Sequence, residues 1–147
     1  MFTVGGFQTN CFVVNCEQTK EAIIIDPGFA NRFEAQKIFS YLVENALATK
    51  LVLNTHGHPD HTIGNGMVKE KFHVPIYIHE CDAHMLGKSG TKIAGFFGLE
   101  SFSPPADKLL RDGDLVKFGR IQLKVMCTPG HSRGSISLLG EKEVFTG

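Results

Sequence analysis

The residues most capable of chemistry in this sequence lie in the segment 55–61, which holds three histidines and one aspartate. This segment directly follows an apolar run, 51–53, that is typical of a buried strand. Ligand sites of α/β proteins usually lie just beyond the carboxyl ends of strands. Side chains two residues apart on extended backbone point to the same side, so His56 and His58 can reach a single cation. The position and spacing of these histidines therefore indicate a metal site.

The next ligand-type residues along the chain are Asp60 and His61, which follow the turn at Pro59. Because they are adjacent in sequence, we expect their side chains to diverge from the first pair, an arrangement that suits a second cation. The first cation still needs a third ligand, and the best candidate is His131, in a turn-rich loop after an apolar strand. Imidazole and carboxylate are ligands that Zn²⁺ and Fe²⁺ favour. The residues thus predict a set of three ligands for one metal and a partial set for a second.

The elements that must position these residues alternate between strands and helices in the first half of the chain. Asn31, three residues before Glu34, predicts the start of a helix that reaches about residue 48, with Ala46 on its apolar face. Alternating strands and helices indicate an α/β fold, in which helices cover a sheet. Short apolar runs predict the strands, the first two of them joined as a hairpin, at 12–14, 22–25, 51–53 and 76–78.

The second half of the chain predicts strands alone from residue 114 onward. Leu115–Phe118 and Ile121–Cys127 flank Gly119, which favours a two-residue hairpin turn, and a further hairpin is predicted from 135–139 and 143–146. Between the two halves, the segment 88–105 interrupts the pattern with glycines, prolines and phenylalanines. A loop of that length is usually functional or mobile, so its aromatic part either lines a substrate mouth, packs in a dimer or is disordered.

Other residues with reactive side chains are interpreted as structural. Without a CxxC pair, we interpret all four cysteines as small buried residues of a reducing compartment. Three further histidines lack a ligand-type neighbour at suitable spacing, although His79, at the end of a strand, is placed to support a metal ligand from outside. The residues in question are Cys11, Cys16, Cys81 and Cys127, and His73, His79 and His84.

Composition narrows the range of partners. Lysine plus arginine and aspartate plus glutamate both number 15, so the chain has no net basic field to hold a nucleic acid. The first residues lack the basic and apolar regions of a secretory signal peptide, and no segment approaches the ~20 apolar residues that cross a bilayer. We therefore expect a cytoplasmic protein that acts on a small molecule, with neither a nucleic acid nor a membrane as partner. Whether it forms a homo-oligomer stays open.

The pattern His56-x-His58-x-Asp60-His61 resembles the signature of the metallo-β-lactamase superfamily, in its glyoxalase II-like (hydroxyacylglutathione hydrolase) branch. Three other pieces occur in the order of that family's motifs. Asp26, in Asp-Pro-Gly, resembles the aspartate that buttresses the metal loops. The stretch 128–131 resembles the third motif, and 144–147 resembles the strand that enters the fourth. The resemblance runs from about residue 5 to the last residue.

The resemblance implies a four-layer αββα sandwich and a role for each matched residue. His56, His58 and His131 would bind metal one, Asp60 and His61 would contribute to metal two, and Asp26 would support them. In that family, an aspartate that bridges both metals directly follows the fourth strand, and a last histidine comes later. The sequence ends at Gly147, before that aspartate. We therefore expect one domain over 1–147 whose N-terminal half is complete and whose C-terminal half is truncated.

The activity implied is that of a zinc-dependent hydrolase with one or two ions, iron or manganese being the alternatives. A metal-bound hydroxide would attack a thioester or related acyl substrate, with Asp60 holding the nucleophile. A mononuclear-iron persulfide dioxygenase of the same fold is the second hypothesis, and an RNA-processing nuclease is a third that the neutral charge disfavours. Without the bridging aspartate and last histidine, the chain would be impaired. No substrate-binding residue is identified from the sequence.

Overall fold

The computed structural model describes residues 1–87 and 103–147. The interrupting segment predicted at 88–105 therefore lies almost wholly outside the described residues, and the three interpretations of its aromatic part stay open. The elements of the described ranges are, in chain order, β1 (Phe2–Val4), β2 (Thr9–Asn15), β3 (Glu21–Ile25), α1 (Arg32–Glu44), β4 (Ala48–Leu53), α2 (Pro59–Thr62), α3 (Asn65–Phe72), β5 (Ile76–His79), a 3₁₀ turn (Ala83–Met85), β6 (Lys108–Leu110), β7 (Leu115–Phe118), β8 (Ile121–Cys127), β9 (Ile136–Leu139) and β10 (Val144–Thr146).

The strands form two sheets. The first has the order β1-β2-β3-β4-β5-β6, in which β1, β2 and β3 are antiparallel neighbours and β3 to β6 run parallel. The connection from β3 to β4 passes through α1 and the connection from β4 to β5 through α2 and α3, as parallel strands require crossover connections. The second sheet is antiparallel throughout, in the order β10-β9-β8-β7. The three predicted hairpins are confirmed: 12–14 pairs with 22–25, β7 with β8, and β9 with β10.

Two apolar cores hold the layers together. On one face of the first sheet, Ile24 and Val52 pack against Ile38 and Leu42 of α1. On the other face, neighbouring residues of the same strands, such as Ile23, pack against the second sheet. Strands β3 and β4 are therefore buried on both sides, which explains why they read as continuous apolar runs and not as alternating ones. The result is an αββ sandwich.

Helix α1 begins as predicted and ends earlier than predicted. The Asn31 side chain accepts a hydrogen bond from the Glu34 N–H at 2.9 Å, which caps the first turn. The helix ends at Glu44 and not near residue 48, so the prediction that Ala46 lies on its apolar face was wrong. Ala46 is exposed and has a φ of +53°, and the next N–H bonds back to the carbonyl of Leu42 at 2.8 Å. This left-handed cap usually takes glycine or asparagine, which is why the sequence did not reveal it.

The prediction that all four cysteines are buried was also wrong for two of them. Cys11 and Cys16 are buried, whereas Cys127 is half-buried and Cys81 is exposed. Cys81 lies in the turn after β5, where the chain leaves the sheet and its side chain no longer faces a core. His79 is buried, with its Nε2 3.2 Å from the Cys127 sulfur, in agreement with the structural interpretation of this histidine.

The outer face of the second sheet is partly apolar and open to solvent. Its exposed side chains include Leu115, Met126, Leu139 and Val144. The helices α1 and α3 pack on the first sheet, so they do not supply the second helical layer of an αββα sandwich. Over residues 1–87 and 103–147, no helix combines the length and the apolar character that crossing a membrane demands.

A close contact between Gly28 and the backbone of Asp60 allows a test of the packing. A Cβ at Gly28 would collide with the carbonyl oxygen of Asp60, whereas a Cβ at Gly6 would meet nothing within 4 Å. We expect Gly28→Ala to lower the free energy of unfolding by about 1–3 kcal/mol, because backbone must shift to accept the methyl group. Gly6→Ala should change it by less than about 0.5 kcal/mol. Urea unfolding of both variants measures the difference, and equal midpoints would contradict this packing.

Candidate metal centre

The predicted ligands come from two loops that belong to different sheets. His56 and His58 follow β4 of the first sheet, and His131 lies between β8 and β9 of the second. His58 has an extended backbone with ψ of 145°, as expected for a residue before proline, and it occupies the N-cap position of the short helix α2. The Ile136 N–H donates a hydrogen bond to the Thr55 carbonyl at 2.9 Å, which joins the two loops. The candidate centre thus lies where the two sheets meet.

The three histidines predicted as ligands of one metal come together in space. One ring nitrogen from each of His56, His58 and His131 lies within 4.8 Å of the others. His58 Nδ1 is 2.9 Å from His131 Nε2, and the His56 ring centroid is 4.8 Å from the centroid of each. Because the histidines converge from residues 73 positions apart, this cluster fits a metal site and is not an accident of local sequence.

Hydrogen bonding to Thr55 fixes the tautomer of His56. The Thr55 hydroxyl donates to Asp26 Oδ2 at 2.6 Å, so its oxygen is free to accept from the Nδ1–H of His56 at 3.2 Å. The lone pair of His56 then lies on Nε2. That atom is buried and has no hydrogen-bond partner among the described residues. Leaving a buried polar atom unpaired costs about 1–3 kcal/mol, and a metal ligand bond at Nε2 would remove that cost.

The charge states of two rings suit metal binding. Burial, together with the neighbouring His61, lowers the pKa of His56 to about 4, so its ring is neutral at pH 7. Burial and the proximity of His131 also lower the pKa of His58. Neutral imidazole is the form that ligates a metal, because the protonated ring has no free lone pair.

Asp26 supports this arrangement from below. It is fully buried, and its carboxylate accepts hydrogen bonds from the Thr55 N–H at 2.8 Å and from the Thr55 hydroxyl. Its Oδ2 also lies 3.0 Å from His61 Nδ1. Burial opposes protonation of His61, but the hydrogen bond to Asp26 and the charges of Asp26 and Asp60 outweigh it and raise the pKa of His61. One carboxylate thus orients two imidazoles.

The two residues assigned to a second metal lie beside the first three. The His61 ring centroid is 4.1 Å from that of His56, closer than the expected divergence suggests. His61 Nε2 faces Asp60 Oδ2 at 3.4 Å, and Thr9 donates to the same oxygen at 3.2 Å. Asp60 is therefore held by a residue of β2 that the sequence did not indicate. Asp60 and His61 thus form a second pair of ligand-type side chains, next to the cluster of three histidines.

Sequence reasoning missed a buried aspartate, Asp82, that contacts both loops. It is 1% exposed and accepts hydrogen bonds from Gly57 N–H, Ser132 Oγ–H and Gly134 N–H. Nothing in its neighbourhood along the chain indicates this role, because its partners are 25 to 52 residues away. Glycines at 57 and 134 were the available signal, since close approach of another element excludes a side chain there.

Comparisons with known proteins find relatives that match almost the whole of this chain. A probable metallo-hydrolase of Bacillus subtilis, YqgX, is 33% identical over 135 residues, which cover 91% of this chain and 61% of that protein. The hydroxyacylglutathione hydrolase GloC of Haemophilus influenzae is 32% identical over 148 residues, 98% of this chain and 68% of that protein. The crystal structure of the B3 metallo-β-lactamase BLEG-1 superposes with a TM-score of 0.84 at 32% identity, covering 99% of this chain and 69% of that one.

The matches extend over almost all of this chain but over only part of each relative. The chain spans about three-fifths of the length of several curated relatives that it matches. The family model described as the metallo-beta-lactamase superfamily matches residues 4–147. The mixed α/β sandwich is therefore that of a family that the sequence motifs had already indicated. The chain belongs to the metallo-β-lactamase superfamily.

Proposed function

We propose that this chain is a zinc-dependent hydrolase that cleaves a thioester or a related acyl substrate. The observation that carries the proposal is the neutral His56, whose buried Nε2 has no hydrogen-bond partner among the described residues. One nitrogen of this ring lies within 4.8 Å of ring nitrogens of His58 and His131. Membership of a metallo-hydrolase family supports the reaction type, and similarity to a hydroxyacylglutathione hydrolase supports the substrate class. Iron or manganese could bind the same nitrogen and carboxylate ligands, but such a site generally binds these ions less tightly than zinc.

The chain's own residues have distinct roles in this proposal. His56, His58 and His131 would hold the first ion through neutral ring nitrogens. A zinc ion held there supplies a Lewis acid for the scissile carbonyl and lowers the pKa of a bound water toward about 7. Asp60 would orient the attacking water through its carboxylate, which Thr9 holds in place. Asp60 and His61 would also contribute ligands to a second ion.

Asp26 would keep both sets of ligands in their binding tautomers. Its hydrogen bond to His61 Nδ1 leaves Nε2 of that ring without a proton when the ring is neutral, and its bond through Thr55 does the same for His56. An outer carboxylate of this kind fixes ring orientation and typically changes metal affinity 10- to 100-fold. Its complete burial restricts the carboxylate to this single arrangement.

A mononuclear-iron persulfide dioxygenase is the second candidate. The ligand cluster found among the described residues offers ligands for a single ion, the number of ions that this function needs, although non-haem iron oxygenases usually take two histidines and one carboxylate. Metal analysis separates the two functions. One iron per chain, with thiol-dependent consumption of oxygen when a persulfide is the substrate, supports the dioxygenase. Zinc with thiol release from a thioester supports the hydrolase.

Removal of a predicted ligand should abolish tight zinc binding. We expect His56→Ala and His131→Ala each to weaken zinc binding by more than the roughly 10- to 100-fold that loss of an outer hydrogen bond costs. His73→Asn is the matched control, since His73 is exposed at the end of α3 and asparagine tolerates its φ of +56°. Competition with a chromophoric chelator measures the affinities. Zinc binding by His56→Ala as tight as by the control would refute the assignment.

The reaction itself is tested with a glutathione thioester. The zinc-loaded chain should release free thiol at a rate that falls to background after chelation. Asp60→Asn should lower kcat by about 100-fold or more, because the amide cannot accept the proton of the attacking water, while zinc stays bound to the three histidines. Thiol release is followed with a thiol-reactive dye. Because the chain is expected to be impaired without the family's bridging aspartate and last histidine, the decisive test uses a chain extended past Gly147. If that chain, loaded with zinc, cleaves no thioester, ester or lactam, the hydrolase proposal fails.

A further inference from the structure

We propose that Asp82 is a positioning residue that fixes the two metal-ligand loops against each other; this inference rests on the proposed metal site. Its carboxylate accepts hydrogen bonds from the Gly57 N–H at 3.0 Å, the Ser132 hydroxyl at 2.6 Å and the Gly134 N–H at 2.8 Å. Gly57 stands between two of the predicted ligands, and Ser132 directly follows His131. One side chain thus bonds to both loops within one to three residues of the ligands.

The burial of Asp82 makes these bonds restrictive. The residue is 1% exposed, and a carboxylate removed from water must recover its solvation from fixed donors. An ionised carboxylate only accepts, and all three partners are placed as donors. Any movement of one loop relative to the other would stretch a charge-assisted hydrogen bond in a site that water does not reach. The distance between the loops is therefore restrained even without a metal.

The two glycines give independent evidence of the same close contact. A Cβ at Gly134 would lie 2.6 Å from Cγ of Asp82, and a Cβ at Gly57 would lie 2.8 Å from Cβ and Sδ of Met85, in the 3₁₀ turn that follows Asp82. Real Cβ atoms essentially never show such distances. Both loops therefore approach the segment 82–85 more closely than any side chain would permit.

Asp82 differs from Asp26 in how it would act. Asp26 hydrogen-bonds to a ligand ring and so affects its tautomer, whereas the hydrogen bonds described for Asp82 go to two backbone amides and one serine hydroxyl. Its effect should therefore appear as metal affinity, through the spacing of His58 and His131, which meet at 2.9 Å from opposite loops. Burial and His131 lower the pKa of His58, and the charge of Asp82 partly offsets this lowering, but none of the hydrogen bonds described for Asp82 goes to a ligand ring.

The test is the substitution Asp82→Asn, which keeps the shape and places an amide N–H₂ against at least one of the three donors. We expect zinc affinity to fall about 10- to 100-fold, the range for outer hydrogen bonds to metal ligands. Asp107→Asn is the control for the same chemical change: Asp107 also accepts a backbone amide, that of Ile76 at 2.8 Å, but it is exposed, pairs with Lys69 and contacts neither loop. Chelator competition measures affinity, and urea unfolding measures stability.

A second readout does not depend on metal. In the metal-free chain, amide hydrogen exchange at Gly57 and Gly134 should be faster by about tenfold or more in Asp82→Asn, and unchanged in Asp107→Asn. If Asp82→Asn does not fold, Ser132→Ala retains the carboxylate and removes one of its three bonds. That variant should show a smaller loss of zinc affinity in the same direction, and an unchanged affinity would overturn the proposal.

The outcomes separate this inference from the proposed function. Zinc affinity of folded Asp82→Asn equal to that of the control would overturn the positioning role, whether or not the chain hydrolyses thioesters. Failure of the unsubstituted chain to bind zinc would count against the proposed function. In that case the exchange rates at Gly57 and Gly134 decide whether Asp82 fixes the loops, and unchanged rates would overturn that role as well.

Discussion

The arrangement of this site depends on a buried negative charge, the carboxylate of Asp26 at the end of β3. The residue is fully buried and has a φ of +50°, a left-handed conformation that non-glycine residues rarely adopt. A charge in that position is tolerable only if fixed donors replace water. The Thr55 amide, the Thr55 hydroxyl and the His61 ring supply them. The same bonds set the path of the loop after β4 and the direction of two imidazoles.

The position of the site follows from the way the two sheets pack. Residues such as Ile25 and Leu53 pack between the first sheet and the second. The chain beyond each of these strands emerges where the two sheets meet. Ligands from the first sheet therefore meet His131 from the second without any long loop. Asp26 supports this meeting from one side and Asp82 from another, so two carboxylates, each almost fully buried, frame the cluster of histidine rings. The same buried carboxylates therefore contribute both to the stability of the fold and to the geometry of the site.

The sequence was sufficient wherever local pattern decides structure. Continuous apolar runs predicted β3 and β4 because both faces of these strands are buried, and the residues around Gly119 predicted the hairpin of β7 and β8. The histidine spacing and the family motifs predicted which residues converge. Contacts between distant parts of the chain were not predictable in this way. Asp82 has partners 25 to 52 residues away, and the exposure of Cys81 depends on where a turn leaves the sheet.

Anomalous diffraction from crystals of the zinc-loaded chain tests whether His56, His58 and His131 together hold one metal ion. We expect a zinc peak about 2.0–2.1 Å from one nitrogen of each ring, with His56 bound through Nε2. A zinc peak at the sulfur of Cys81 or Cys127 with none at the histidines would contradict this expectation.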